Sequence, residues 1–218
     1  MKIAIIGAGN VGRALATSMT RAGHEVVISA RDPEHAGAAA TATGSQVAPS
    51  SAEAAAKADV IILAIPFASA PDVAGEIRVA VVGKPVVDVT NRMSFGPDGA
   101  ETDTTSSNAE ELATLLPGAN VVKAFNTLFA SNQADPIADG IQLDGFVAGD
   151  DAGAKGRVLD LVSSIGLNPV DVGPLARARQ LEGLAFLNMA LNIANSGSWQ
   201  SGWKLVGAAA SVPAAAAR

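Results

Sequence analysis

Cysteine and tyrosine are both absent from the 218-residue chain, and histidine occurs only twice, at His24 and His35. The first absence removes disulfides, thiolate chemistry and Cys-ligated zinc. Neither histidine has a ligand partner at metal-site spacing, so no metal site is expected. Runs of Lys or Arg are missing too. With a net charge of −6 and a pI near 4.8, the chain is a poor match for nucleic acid or an anionic membrane. No stretch of about 18 apolar residues occurs, which argues against a span across a bilayer. The first apolar run starts at residue 2, which leaves no room for a signal peptide, and a cytoplasmic location is expected. Hydrophobic residues make up 49% of the chain, ample for one buried core, so one domain with a small appendage is expected.

What is present is concentrated at the start. The apolar run 2–6 (KIAII) leads directly into Gly7-Ala-Gly9-Asn10-Val11-Gly12, then into a helix-like stretch, 13–22, with apolar Leu15, Ala16, Met19 and Ala22. A second β-rich run, 25–29, closes the unit. Strand, glycine turn, helix and strand in that order is the setting in which G-x-G-x-x-G signals a dinucleotide. Gly7 permits the tight turn, Gly9 leaves room for a pyrophosphate, Gly12 lets the helix approach the sheet, and the helix N-terminus offers N–H groups to the anion. The plain alternative is a glycine turn in a flavodoxin-like sheet that binds no nucleotide.

The end of the second strand discriminates between cofactors. NAD enzymes place a carboxylate there, about 20 residues after the glycines, for the ribose hydroxyls. Here the chain reads Ser29-Ala30-Arg31-Asp32-Pro33. Arg31 suits a 2′-phosphate and packs well over an adenine, and His35, one helical turn on, adds a further contact. NADP is therefore expected. Asp32 has two readings: the ribose acid after a shift of register, or the N-cap of a helix beginning at Pro33.

Strands and helices alternate through the rest. Helix 33–42 ends at Gly44, strand 45–48 follows, and Ser50-Ser-Ala-Glu53 has capping-box spacing. Residues 59–65 are apolar on both faces, as in a central parallel strand. Ligands sit at the carboxyl ends of such strands, which places Ile65, Pro66 and Phe67 beside the nicotinamide ribose unless Pro66 merely stops the strand. A weak helix over 70–82, a strand 84–89 ending in Thr90-Asn91-Arg92, a polar loop 93–107, a helix 108–116 and a strand 121–125 come next. Strand 141–148, a helix capped by Asp150 or Asp151, and an edge strand 169–172 complete the sheet. Pro174 opens the last helix, apolar nearly all round from 181 to 193 apart from Asn188 and Asn192, so that it is either core or a subunit interface. The expected fold is α/β, a doubly wound parallel sheet of the Rossmann type over 1–172. A small helical extension, 173–207, and an alanine-rich tail, 208–218, follow it.

A nicotinamide enzyme that reduces a carbonyl also protonates the new alkoxide, usually from His, Tyr or Lys. Tyrosine is absent, and both histidines flank the second strand on the adenosine side. Lys123 is the one candidate donor near a strand end, although a lysine inside a strand more often reaches a carboxylate or the surface. A reaction that needs no side-chain acid fits best, and hydride exchange with a flavin-type ring is of that kind. No side chain is assigned a catalytic role.

GAGNVG at 7–12, SAR at 29–31, LAIPF at 63–67, VVKAFNT at 121–127, GDD at 149–151, GPLARARQLE at 173–182 and GWKL at 202–205 together resemble the small NADP-dependent oxidoreductases of the deazaflavin coenzyme F420. VVKAFNT is also similar to the cytoplasmic reductase domain of STEAP metalloreductases. The resemblance implies that Gly9, Asn10 and Val11 meet the pyrophosphate, that Ala30, Arg31 and His35 hold the 2′-phosphate, and that Phe67, Asn91 and Ala130 border the ribose and nicotinamide. It implies F420 as co-substrate. The uncharged polar residues Asn126, Thr127, Asn188 and Asn192 are then the candidates for hydrogen bonds to the ring's carbonyl and N–H edge. A homodimer joined at or beside 181–193 is expected. Two other readings stay open: reduction of an imine, ketone or ferric chelate, and an NADP sensor without turnover.

Overall fold

The computed structural model describes residues 1–96, 99–101 and 105–207. The tail expected over 208–218 and part of the 93–107 loop lie outside the described residues. In chain order, β1 (Lys2–Ile6), α1 (Asn10–Arg21), β2 (Glu25–Ser29), α2 (Pro33–Thr43) and β3 (Gln46–Val47) form the opening unit. Next come α3 (Ser51–Lys57), β4 (Val60–Leu63), a 3₁₀ turn (Phe67–Ser69), α4 (Ala70–Ile77) and β5 (Pro85–Asp88). A small hairpin, β6 (Ser94–Gly96) with β7 (Gly99–Glu101), precedes α5 (Asn108–Leu115) and β8 (Asn120–Ala124). The chain continues through α6 (Ala130–Ala134), the short strands β9 (Ile137–Ala138) and β10 (Ile141–Gln142), then β11 (Asp144–Gly149), α7 (Ala152–Ser164) and β12 (Asn168–Gly173). A second 3₁₀ turn (Leu175–Arg177) leads into α8 (Ala178–Ala194).

Eight strands form one sheet in the order β12-β11-β8-β5-β4-β1-β2-β3, with helices on both faces. The central strands β1, β4, β5 and β8 are buried on both sides, which is why they read as unbroken apolar runs. The Rossmann-like fold expected from the sequence is present, with one departure from a parallel sheet. β11 runs antiparallel to β8, with Val147 opposite Ala124. A parallel return normally uses a long crossover helix. Between β8 and β11 the chain supplies only the five-residue α6 and the β9–β10 hairpin, so it doubles back instead.

Local signals set the helix starts. Asp32 caps α2, accepting from Glu34 N–H at 2.9 Å, and Ser50 caps α3 through Glu53 N–H at 3.2 Å. Asp151, rather than Asp150, caps α7. Several boundaries differ from expectation. α4 stops at Ile77, and Pro174 precedes a 3₁₀ turn before α8 begins at Ala178. The predicted strand 141–148 divides at Leu143, whose N–H bonds to the Pro136 carbonyl and ends the small hairpin.

α8 is core on one face only. Ala178, Leu181, Glu182, Ala185, Asn188 and Asn192 recur at helical spacing and are buried. Leu187, Leu191 and Ile193 face outward, 48%, 49% and 57% exposed. Beyond α8 a strap, 199–205, crosses back over the sheet edge. Asp144 N–H donates to the Trp203 carbonyl, Lys204 Nζ reaches Asp144 Oδ1 at 2.9 Å, and Trp203 joins the cluster of Phe146, Val170 and Leu181. Gly202 packs closely there, since a Cβ on it would stand 2.5 Å from Leu143 Cδ1 and would make that side chain shift. No helix among the described residues is long and apolar enough to cross a membrane.

Candidate active site

The glycine turn is built by contact with β4. Gly7 has φ +120°, and a Cβ on it would lie 2.1 Å from the Ala64 carbonyl oxygen. A Cβ on Gly12 would lie 2.0 Å from the Gly7 carbonyl oxygen. Backbone therefore meets backbone at both positions, and α1 leans directly on the end of the sheet. Gly9 differs: it is the N-cap of α1, and a Cβ there would meet nothing within 4 Å. No side chain caps the helix, and its first turn holds no acidic residue. The N–H groups of that first turn, at Asn10, Val11 and Gly12, lack intrahelical acceptors. An open cradle beside uncapped N–H groups at the positive end of a helix fits a pyrophosphate.

At the end of β2 the Ser29 carbonyl receives Gly7 N–H at 2.8 Å, and Ala30 and Arg31 follow at the surface. The Arg31 guanidinium reaches across to the turn after β4, with Nη2 3.5 Å from Ser69 Oγ. Asp32 is turned away into its cap, and His35, largely exposed, lies 3.4 Å from Asp32 Oδ2. The cation expected at a 2′-phosphate thus stands at the strand end, while the nearest carboxylate faces its own helix.

The carboxyl ends of β4, β5 and β8 form the other half. Ile65 and Phe67 are half-buried, and Pro66 opens the 3₁₀ turn. Beside that turn a cleft of about 410 Å³ opens between Phe67, Ala68, Pro71, Glu111, Thr114 and Leu115. Asn126 Nδ2 donates to Asn91 Oδ1 at 2.8 Å, and Asn91 Nδ2 returns a bond to the Asn126 carbonyl at 3.2 Å. Phe125, just before, is held at φ +62°, a left-handed conformation rare for a bulky residue. Gln133 Nε2 stabilises this turn by donating to the Phe125 and Leu128 carbonyls at 3.1 and 3.2 Å. Asn126 Oδ1 is buried without a hydrogen-bond partner among the described residues, Thr127 is buried beside it, and Ala130 begins α6.

Gly7 to Gly12, Ser29 to Arg31, Ile65 to Phe67, Asn91, Asn126, Thr127 and Ala130 therefore follow the carboxyl edge of the sheet. Asn188 and Asn192 do not offer their amides to this edge. Asn188 Nδ2 donates to the Ser201 carbonyl at 3.1 Å, Asn192 Nδ2 to Ser201 Oγ at 2.6 Å, and Asn192 Oδ1 accepts Trp199 N–H at 3.1 Å. The pair holds the strap. His24 is at the other end of the sheet, bonded to the N-terminal amine and to Ser164 Oγ, and burial followed by the nearby terminal charge lowers its pKa.

Two residues that sequence reasoning missed complete Lys123. Its ammonium is fully buried between Asp88 Oδ2 at 2.8 Å and Glu182 Oε1 at 2.7 Å. Burial raises the Glu182 pKa, with the Lys123 charge opposing. The available signal was an Asp in the apolar run PVVDV and a Glu within the buried face of α8, both out of place unless paired.

A family model described as NADP oxidoreductase coenzyme F420-dependent matches residues 2–92. The F420-dependent NADP reductase of Methanothermobacter marburgensis is 32% identical over 212 residues, 89% of this chain and 94% of that protein. The chain belongs to the F420-dependent NADP oxidoreductase family. Members bind NADP, and this chain is an NADP-dependent oxidoreductase. A crystal structure from Arthrobacter sp. FB24, described as an F420-dependent NADP reductase, superimposes with a TM-score of 0.85 at 31% identity, covering 95% of this chain and 100% of that one. Metalloreductase STEAP3 of Rattus norvegicus is 33% identical over 191 residues, 84% of this chain. The chain spans only 36% of STEAP3's length.

The glycines make separable predictions. Gly12→Ala forces a methyl group onto a backbone oxygen and should destabilise the fold by about 1–3 kcal/mol. Gly9→Ala should leave the melting temperature unchanged and weaken NADPH by about tenfold or more, roughly 1.4 kcal/mol. Thermal melts and NADPH fluorescence titration read the two effects independently.

Proposed function

We propose that this enzyme transfers a hydride between NADP(H) and a deazaflavin of the F420 type, or a related flavin-type ring, as a cytoplasmic homodimer. NADP(H) supplies or accepts the hydride. The observation that carries the reading is that, among the described residues, neither histidine nor Lys123 is available as a proton donor at the carboxyl edge. His24 lies at the far end of the sheet, His35 on the adenosine side, and the nearest buried titratable groups, Asp88, Lys123 and Glu182, are bonded to one another. An acceptor that stabilises its own charge needs positioning rather than an acid. The same pairing weighs against a ketone or imine reductase that uses Lys123 as donor.

The chain's residues divide the work. Gly9 and the first turn of α1 take the pyrophosphate, Ala30, Arg31 and His35 the 2′-phosphate, and Ile65, Pro66, Phe67, Asn91 and Ala130 the ribose and nicotinamide. Asn126 and Thr127 offer uncharged polar groups to the acceptor, with Asn188 and Asn192 acting one step back by fixing the strap.

Arg31→Ala should cost NADPH about tenfold or more in affinity, since a charge-assisted contact is worth roughly 1.5–3 kcal/mol. NADH affinity should hardly change. Equal losses for both cofactors in a fluorescence titration would remove Arg31 from the 2′-phosphate site.

The dimer reading rests on the outward face of α8. Leu187 and Leu191, one turn apart, make an apolar strip of the kind that subunit contacts cover. Sedimentation at micromolar protein should give a dimer, and Leu187→Glu with Leu191→Glu should shift it to monomer. A wild-type monomer would reject the contact.

The acceptor is tested directly. Enzyme, NADPH and F420 mixed anaerobically should bleach the deazaflavin absorbance. Turnover of FMN, a ferric chelate or a ketone without bleaching would reassign the acceptor. Tight NADPH binding with no turnover of any of these would indicate a sensor.

A further inference from the structure

The cofactor edge and α8 are joined by the buried ionic cluster, to which the division of labour above gives no task. Lys123 Nζ donates to Asp88 Oδ2, to Glu182 Oε1 and to the Thr90 carbonyl. Asp88 Oδ1 accepts both Thr90 N–H, at 3.0 Å, and the Thr90 hydroxyl, at 2.8 Å. From α8, Glu182 Oε1 also accepts Asn108 N–H at 2.9 Å, and Oε2 accepts Arg92 N–H at 2.9 Å. Asn108 Nδ2 closes the network on Thr90 Oγ1 at 2.9 Å. The backbone is therefore clamped on both sides of Asn91, at Thr90 by Asp88 and Lys123 and at Arg92 by Glu182. Between the clamps, Asn91 exchanges two hydrogen bonds with Asn126.

Apolar packing would hold a helix down at least as well, because a buried ion pair gains little net stability over a hydrophobic substitute. A carboxylate does what an apolar side chain does not: it accepts a backbone N–H at a fixed point and in a fixed direction. All four acceptor contacts made by the two Glu182 oxygens and Asp88 Oδ1 to the backbone and hydroxyl groups of 90–92 and 108 serve that purpose. We propose that Glu182 is a positioning residue for hydride transfer, acting from the C-terminal helix through the Arg92 amide to set the Asn91–Asn126 pair. This rests on the reading that Asn91 borders the nicotinamide.

Glu182→Gln keeps the side chain's size and its reach to Lys123 but cannot present acceptors on both of its terminal atoms. In the cofactor-free protein, hydrogen exchange at the Arg92 amide should quicken about tenfold or more, because its acceptor is lost. At saturating NADPH the hydride-transfer rate should fall by about tenfold or more. NADPH affinity should change by less than about threefold, since the pyrophosphate and 2′-phosphate are held elsewhere. The deciding comparison is a double-mutant cycle with Asn91→Ala. If Glu182 acts through Asn91, adding Glu182→Gln to Asn91→Ala should cost less than about a further twofold in rate. Additive losses, or an unchanged Arg92 exchange rate, would reduce Glu182 to an anchor for α8 and overturn the proposal. Should Glu182→Gln fold poorly, Glu182→Asp, which withdraws the carboxylate by one methylene while keeping its charge, carries the same cycle. A wild-type protein that turns over none of the acceptors would reject the functional reading instead. The cycle is then read on the fluorescence lifetime of bound NADPH, where a shift in Glu182→Gln that vanishes on the Asn91→Ala background supports the proposal and additivity overturns it.

Discussion

Lys123 leaves β8 with its side chain fully buried, and an ammonium taken out of water at such a position has to be met by negative charge and by hydrogen-bond acceptors. Asp88 from the neighbouring strand supplies one carboxylate, and Glu182 from α8 the other. Removing one member of such a cluster strands its partners and costs about 3–5 kcal/mol, far more than an exposed pair. The requirement places α8 where its first turns can reach the sheet, and with α8 goes the strap that Asn188 and Asn192 hold. A second tie, Arg179 paired in a fork with Glu110 at 2.6 and 2.8 Å, lowers the Glu110 pKa chiefly through that hydrogen bond and keeps α8 against α5. The C-terminal segment is thus continuous with the Rossmann core in its chemistry, although the sequence suggests an appendage.

The features legible in the sequence are those whose causes lie within a few residues. G-x-G-x-x-G is legible because Gly7, Gly9 and Gly12 each have a local geometry: turn, open space and close approach. The caps at Asp32 and Ser50 are equally local, since donor and acceptor are two and three residues apart. The Lys123 contacts span 35 and 59 residues, and the sequence shows only that a charge sits inside an apolar strand. For the same reason Asn188 and Asn192 read as ligand-facing amides. Two polar residues at helical spacing on an apolar helix imply a hydrogen-bonded partner, but not that the partner is the chain's own residues 199–201. The reversal of β11 was hidden because alternation of strand and helix looks the same whichever way an edge strand enters.

This difference in range divides the enzyme into two halves of unequal origin. The glycine turn and the end of β2, with the Arg31 cation, are specified by a contiguous thirty-odd residues. The family model, which ends at residue 92, covers that unit and the chain through β5. The other half is assembled from the turn after β8, α6, the strap and α8, through contacts far apart in the chain. Ser131 Oγ bonds to the Trp199 carbonyl at 2.6 Å, Asn132 to the Gln200 carbonyl at 2.9 Å, and the Phe129 and Trp199 rings meet edge to face at 5.2 Å.

The second half also shows how a charged interior can coexist with the acid-free chemistry proposed above. Asp88, Lys123 and Glu182 lie just behind Thr90 and Asn91, yet their hydrogen bonds are directed at one another, at the Thr90 hydroxyl or at backbone of 90–92 and 108. The surface turned to the carboxyl edge is made of amides and a hydroxyl: Asn91, Asn126 and Thr127. An acceptor ring that disperses its own charge gains from fixed, neutral dipoles that need no reorganisation as the hydride moves. A titrating acid there would add a second protonation state without adding stabilisation. Under the proposed hydride transfer, locking the ions into a network one layer down would let their rigidity hold the dipoles in place while their charges stay paired with one another.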